Sequence, residues 1–242
     1  MGDGKYGAVA GLVGRMQMMD NISEHLAATR THAYKKGVPT FHAELAEAQS
    51  GMASKGVNFV RVSGETIDFT PGQLEFTGEP LHVAINGDGF FQIEQADGTF
   101  GYTRRGTFKL DPEGVLIDGN NQPVMSAGGG SITLPSPDVD IASDGNIWYN
   151  GEQIARIAVF QFDDNALLQR APKGIFLPSD GSQPEPHPGP QLVQNNLETS
   201  NVDMMRTMVR MNVNLRAFEA TQKALRIYSD MGSKAAEIGL VQ

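Results

Sequence analysis

Two stretches at the ends of this chain repeat apolar residues every three or four positions, and the long stretch between them alternates every two. The C-terminal stretch, Asn201 to Gly239, sets Met205, Met208, Met211, Leu215, Phe218, Leu225, Tyr228, Met231, Ala235 and Ile238 along one helical face, with Gln222 in the one gap. Ser200 or Asn201 can cap its start, and Asp203 suits the positive end of the helix dipole. At 1.5 Å per residue such a helix runs roughly 55–60 Å. That exceeds the need of a compact domain and predicts a coiled-coil-like element seeking a partner helix. The N-terminal stretch, Tyr6 to Tyr34, repeats Val9, Leu12, Val13, Met16, Met19, Ile22 and Leu26 in the same way, with Asp20, Glu24, Arg30 and Lys35 off that face. Both stripes are rich in Met and Ala, which pack closely and adaptably, so the two ends are expected to pair with each other.

Between them the period changes. Pro39 ends any helix. Phe41 to Met52 can form a short helix with Leu45 inward, and Val57 to Val62 alternates as a strand. From Gly64 to about Gly181, short alternating runs are separated by turns such as Asn86-Gly87-Asp88-Gly89, Asp111-Pro112-Glu113-Gly114, Ser143-Asp144-Gly145-Asn146 and Asn150-Gly151. Runs and turns of this kind predict a meandering antiparallel sheet. Residues 178–190 are rich in Pro and Gly and read as a linker or exposed loop. The expected fold is α+β: long N- and C-terminal helices pairing as a coiled-coil-like stalk, with a mainly antiparallel β central domain. The expected division is a helix over 1–36, a connecting segment over 37–63, a β-rich domain over 64–198 and a helix over 199–242.

Charge sharpens this picture. The net charge is -9. Residues 1–36 carry five Lys/Arg against three Asp/Glu, and residues 199–242 carry six against four, so each end is +2 and the middle is -9 - 2 - 2 = -13. An acidic middle faces solvent and argues against nucleic acid as a partner. With no cysteine there is neither a disulfide framework nor a thiolate metal site. No stretch reaches the roughly 18–20 apolar residues of a membrane span. Ala8 to Val13 resembles a signal-peptide core, but Arg15 interrupts it and the helical pattern continues, so export without a cleaved signal peptide is expected.

The candidate chemistry is sparse. His25, His32, His42, His82 and His187 lack metal-ligand spacing. Gly87-Asp88-Gly89 lacks the third glycine of a phosphate loop and reads as a tight turn. Asp138, Asp140 and Asp144 do not fit a calcium loop. Ser131 and Ser143 lie outside any nucleophile elbow. Glu94, Asp97, Asp111 and Glu113 could pair carboxylates for glycoside cleavage, but acidic turn residues explain them more simply. Arg104-Arg105 is too short a run for a nucleic-acid patch. Trp148 reads as core or half-buried sheet. No catalytic, cofactor or metal residues are expected. The alternatives are a carbohydrate- or cell-wall-binding β module using Trp148 and Tyr149, with helical oligomerisation arms, and a cell-wall hydrolase using Asp111 and Glu113.

Three stretches carry a family resemblance. Leu12 to Lys36 is similar to an N-terminal motif ending N-x-I-x-N-N-L-A-N-x-x-T-x-G-[YF]-K, matched at Asn21, Ile22, Leu26, Ala27, Thr31, Tyr34 and Lys35. Pro80 to Met125 is similar to a core signature, P-L-D-[VL]-A-I-x-G-[DE]-G-F-F followed by Y-T-R-x-G-x-F-x-L-D-x-x-G. LETSNVDMMRTMVRMNVNLRAFEATQKAL is similar to a C-terminal motif, E-x-S-N-V-[ND]…M-V-x-M…R-A-[FY]-E…K. Together these resemble the flagellar basal-body rod and hook protein family. Glu24, His25, Ala28 and Arg30 stand where the family has asparagines, and Ala33 stands where it has glycine. Those replacements suggest a longer first helix or altered subunit contacts. The resemblance implies a non-enzymatic subunit exported by the flagellar type III apparatus, which stacks with its own copies and other rod subunits into a shaft crossing the periplasm. The residues assigned to helix packing in that assembly are Leu12, Met16, Met19, Ile22, Leu26, Met208, Leu215, Phe218, Leu225 and Tyr228.

Overall fold

A computed structural model describes residues 3–45, 58–179 and 182–239. The chain divides into two compact units, one of residues 1–27, 37–66 and 203–242, the other of residues 28–36 and 67–202.

The first unit holds both helices. Helix α1, Asp3–Ala27, runs into a 3-10 turn at Ala28–Arg30, and helix α2 is Met204–Gly239. Asp203 caps α2: its carboxylate accepts the Arg206 amide at 2.9 Å and its carbonyl accepts the Thr207 hydroxyl at 2.7 Å. The cap thus lies two or three residues beyond Ser200 and Asn201. The first helix ends at Ala27, within the altered motif. The chain leaves it through Ala33, at φ 55, the left-handed conformation for which glycine is the easy residue.

The expected long coiled-coil-like stalk of paired terminal helices is not what the chain forms. Helix α1 has 25 residues against 36 in α2, too few to cover it. Much of the expected stripe is exposed, Tyr228 at 62% and Met16 at 56% among it. A spacing of three or four fits several faces of one helix, and the richest in Met is not the one that is covered. Among the described residues there are instead two unequal α-helices and a mainly antiparallel β core.

After the turn the chain enters a two-stranded sheet of β1, Gly37–Leu45, and β2, Asn58–Ile67. The expected helix from Phe41 is therefore a strand as far as Leu45, and the remainder of that stretch lies outside the described residues. Pro39 is accommodated because a strand in a pair has one edge without a ladder. A β-carbon on Gly37 would sit 1.3 Å from Glu65 Oε1, so only glycine fits that approach. His25 Nε2 accepts the Gly37 amide at 3.1 Å, and the Asn21 amide donates to Glu65 at 3.3 Å.

The second unit is the β body. Its early strands are β3, Leu74–Phe76, β4, Val83–Ile85, β5, Phe90–Glu94, and β6, Phe100–Thr103. A six-stranded sheet runs in the order Leu168–Ala171, Ile175–Pro178, β6, β5, Val159–Gln161, Glu185–Pro186, so part of the expected linker is an edge strand. Period two on β5 sends Phe91 and Ile93 into the larger core with Val83, Leu116, Val124 and Ile157. It sends Phe90 to the other face, among Tyr102, Phe162, Leu168 and Phe176. The rings there pack edge-on, Tyr102 to Phe162 at 4.9 Å and Phe69 to Phe176 at 5.1 Å. Trp148 is on the surface, 38% exposed. The last strands of the body, Leu192–Gln194 and Asn196–Glu198, return to pair antiparallel with β4 and β3.

Candidate assembly site

On α2, as far as Met231, the covered positions are Thr207, Met211, Asn214, Ala217, Phe218, Thr221 and Leu225, mostly three or four apart. The two buried ones are polar, Thr207 and Asn214, and the Asn214 amide donates to the Arg15 carbonyl of α1 at 2.9 Å. Of the residues expected to form the assembly face, Ile22 is buried, and Leu12, Met19, Leu26, Phe218 and Leu225 are half-buried. Met16, Met208, Leu215 and Tyr228 are exposed. A second apolar set lies roughly opposite the covered seam at about 100° per residue: Met205, Val209, Val213, Ile227 and Met231, each more than half exposed. Val9, Val13 and Met16, at 49%, 49% and 56% exposed, form a similar set on α1. The pairing of α1 with α2 leaves these sets in water.

In the β body an ionic cluster is buried. Lys35, Arg104 and Glu198 are 1%, 4% and 2% exposed. The Lys35 ammonium donates to Glu198 Oε1 at 2.5 Å and to the Thr70 carbonyl at 2.9 Å. Arg104 Nε donates to Glu198 Oε2 at 3.1 Å, and its two terminal nitrogens donate to the carbonyls of Gly87 and Gly89, each at 2.6 Å. The Gly72 amide supplies Glu198 Oε1 with another donor at 2.8 Å. Burial pushes the Lys35 ammonium below its ordinary value of 10.5, against the opposing pull of Glu198. The Gly87-Asp88-Gly89 turn thus turns carbonyls toward a cation, the reverse of a phosphate cradle. Its glycines have φ of 113 and 117, conformations closed to other residues.

Around the cluster the two ends of the body lie side by side. The Ala33 amide donates to the Glu198 carbonyl at 2.8 Å, and the Asn201 amide to the Tyr34 carbonyl at 3.2 Å. Asn201 Oδ1 accepts the Lys36 amide at 2.8 Å, while its Nδ2 donates to the Asp68 carbonyl at 2.8 Å. Lys36 pairs with Asp68 at 3.0 Å. Arg170 donates to the Lys35 carbonyl and stacks over the Tyr34 ring at 4.8 Å from its centroid. Reading the sequence missed this cluster as a unit. Its signal was one charged residue in each of the three resembling stretches: Lys35, Arg104 and Glu198.

Of the carboxylates weighed for catalysis, Asp97 and Asp111 hold turns. Asp111 Oδ1 accepts the Glu113 and Val115 amides at 3.0 and 2.7 Å, and Asp97 Oδ1 accepts the Thr99 amide at 2.9 Å. His82 Nδ1 lies 2.9 Å from the Thr77 hydroxyl, and His187 Nδ1 accepts the Gly189 amide at 3.2 Å. Among the described residues no three metal-binding side chains cluster, and no helix is long and apolar enough to cross a membrane.

A β body with its own core, joined to helices that leave apolar faces open, defines a structural subunit. Residues 84–149 match the family described as the flagellar hook protein FlgE/F/G D1 domain, and residues 193–238 match the flagellar basal body rod FlgEFG protein C-terminal family. The chain is 30% identical over 224 residues to the flagellar basal-body rod protein FlgF of Caulobacter vibrioides, covering 90% of each protein. It is 31% identical to FlgF of Salmonella typhimurium, covering 88% of this chain and 91% of that one, and 29% identical to the rod protein FlgG of Buchnera aphidicola, covering 94% and 96%. The chain belongs to the flagellar basal-body rod protein family and is a structural subunit of the bacterial flagellum. The named relatives fit FlgF as the first reading, with FlgG as the alternative.

Proposed function

We propose that this subunit builds the rod through its two helices, self-assembling with further copies and with neighbouring rod proteins into a shaft that transmits torque. The observation that carries the reading is the open apolar surface of α1 and α2: Val9, Val13 and Met16 on one, Met205, Met208, Val209, Val213, Leu215, Ile227, Tyr228 and Met231 on the other. A contiguous apolar set left in water marks a protein–protein surface. The expected packing residues divide accordingly. Ile22, Phe218 and Leu225, with Leu12, Met19 and Leu26, serve the fold of the subunit, and Met16, Met208, Leu215 and Tyr228 serve contacts between subunits. A repeated heterologous contact whose rotation does not close generates a helical filament. The subunit is delivered through the flagellar type III apparatus, and the shaft crosses the periplasm. The subunit has no catalytic role and needs no cofactor.

The test is Leu215→Asp in the chromosomal copy, read by swimming and by counting rods and hooks in purified basal bodies. Loss of swimming, with the purified variant still folded, is expected. Normal swimming and normal rod counts would remove α2 as an assembly surface.

A further inference from the structure

The ionic cluster of the body is assembled from three places in the chain, and its only carboxylate comes last. Lys35 precedes the first strand of the chain, Arg104 follows β6, and Glu198 ends the strand Asn196–Glu198. Without Glu198, two cations share a site closed to water. Arg104 would keep the Gly87 and Gly89 carbonyls, but Lys35 would keep only the Thr70 carbonyl. Like charges in a low-dielectric site repel, and an unpaired buried ammonium draws water in. The segment that brings Glu198 also completes the neighbouring backbone. Its strand is the partner of β3, its Glu198 carbonyl receives the Ala33 amide, and Asn201 gathers Lys36, Asp68 and Tyr34. These bonds fall in three short segments, 33–36, 68–76 and 196–201. They lie apart from the tightly hydrogen-bonded core around Leu116, Val124 and Ile132.

We infer that residues 196–201 are a strap latched by Glu198, and that segments 33–36, 68–76 and 196–201 close and open together as one cooperative piece of the body. The body is thereby held incomplete until its C-terminal strand is in place. Closing neutralises the cations and satisfies the Ala33, Gly72 and Thr199 amides in one step. This inference does not depend on how copies of the chain assemble.

Amide hydrogen exchange on the full chain tests it, comparing the natural protein with Glu198→Gln, Lys35→Met and the double variant. Glu198→Gln should speed exchange of the Ala33, Gly72 and Thr199 amides by about tenfold or more, while those of Leu116, Val124 and Ile132 change by less than about twofold. Adding Lys35→Met should slow the three strap amides again, because the cation that demanded Glu198 is gone. Should Glu198→Gln fail to fold, Glu198→Asp keeps the charge with a shorter reach and should loosen the same three amides alone. Uniform acceleration across the body would make Glu198 a contributor to global stability only, and would overturn the strap. Independence of the two substitutions, or no acceleration at all, would overturn the latch.

Discussion

In the body, Lys35, Arg104 and Glu198 are each no more than 4% exposed, whereas on α2 Met205, Val209, Val213 and Met231 are each more than 60% exposed. Both arrangements cost free energy if taken alone. Burying charge requires hydrogen-bond partners, and in the cluster each nitrogen of Lys35 and Arg104 has one, among a carboxylate and three carbonyls, while the Gly72 amide donates to that carboxylate. Leaving a Val or Met side chain in water forgoes about 1.5–3 kcal/mol that burial would give. On α2 nothing among the described residues recovers that. The body therefore meets its buried charges within the chain, and the helices leave apolar surface uncovered.

That contrast breaks most readily at Arg104. Arg104→Met should destabilise the body by about 3–5 kcal/mol, because Glu198 loses a partner and the Gly87 and Gly89 carbonyls are left empty. Chemical denaturation measures it. Val213→Asp on the outer face of α2 should change the stability of the isolated chain by less than about 0.5 kcal/mol. Comparable losses in the two variants would mean that the outer face of α2 is covered after all.

A finer distinction lies within α2 itself. Phe218→Asp puts a carboxylate on the covered seam and should lower the stability of the helix pair by about 2 kcal/mol. Leu215→Asp, three residues away on the exposed shoulder, should cost about 0.5 kcal/mol or less. Helicity followed by circular dichroism during thermal unfolding separates them. Equal losses would erase the division between folding and assembly residues.

What could be read from the sequence follows the range of the interactions. The strands of the body were legible because alternation and Asn-Gly or Asp-Gly turns act over a few residues, as at Asn150-Gly151, where both residues have positive φ. The presence of both helices was legible for the same reason. Which face of α2 is covered was not, since Met205, Met208 and Leu215 satisfy a helical spacing as well as Met211, Phe218 and Leu225. Thr207 and Asn214, the buried positions of that seam, were invisible to an apolar count. Glu198 lies 163 residues from Lys35 and 94 from Arg104, beyond any local pattern. Only their common membership of the three family stretches hinted that these charges meet.

Ala33 sharpens the account of the bend after α1. An alanine at φ 55 carries strain of about 1 kcal/mol that a glycine does not. Against this, glycine loses more conformational freedom on folding. The strain should prevail, and Ala33→Gly should raise the stability of the body by about 0.5–1 kcal/mol. A fall in melting temperature would show that alanine is at ease there and that the bend needs no glycine.

The smallest expected effect is at Asp68, on the margin of the ionic cluster, and it separates an exposed charge from the buried ones. Burial opposes its negative charge, but hydrogen bonds from the Thr70 hydroxyl and amide and from the Lys36 ammonium outweigh that and hold its carboxyl at about 2. The folded value is depressed below the ordinary 3.8, so the unfolded chain takes up its proton first as acid is added. The contribution is therefore whole above pH 3.8 and is lost as the pH falls toward 2. Asp68 is partly open to water, so screening reduces the contribution to about 0.5 kcal/mol or less. Asp68→Asn should leave stability at pH 7 lower by that small amount and should flatten the acid limb of the stability curve between pH 4 and 2. Denaturation midpoints across that range give the slope. An unchanged slope in the variant would show that the Lys36–Asp68 pair adds nothing to the stability of the body, and that the buried cluster and the bonds of Asn201 hold its two ends together without it.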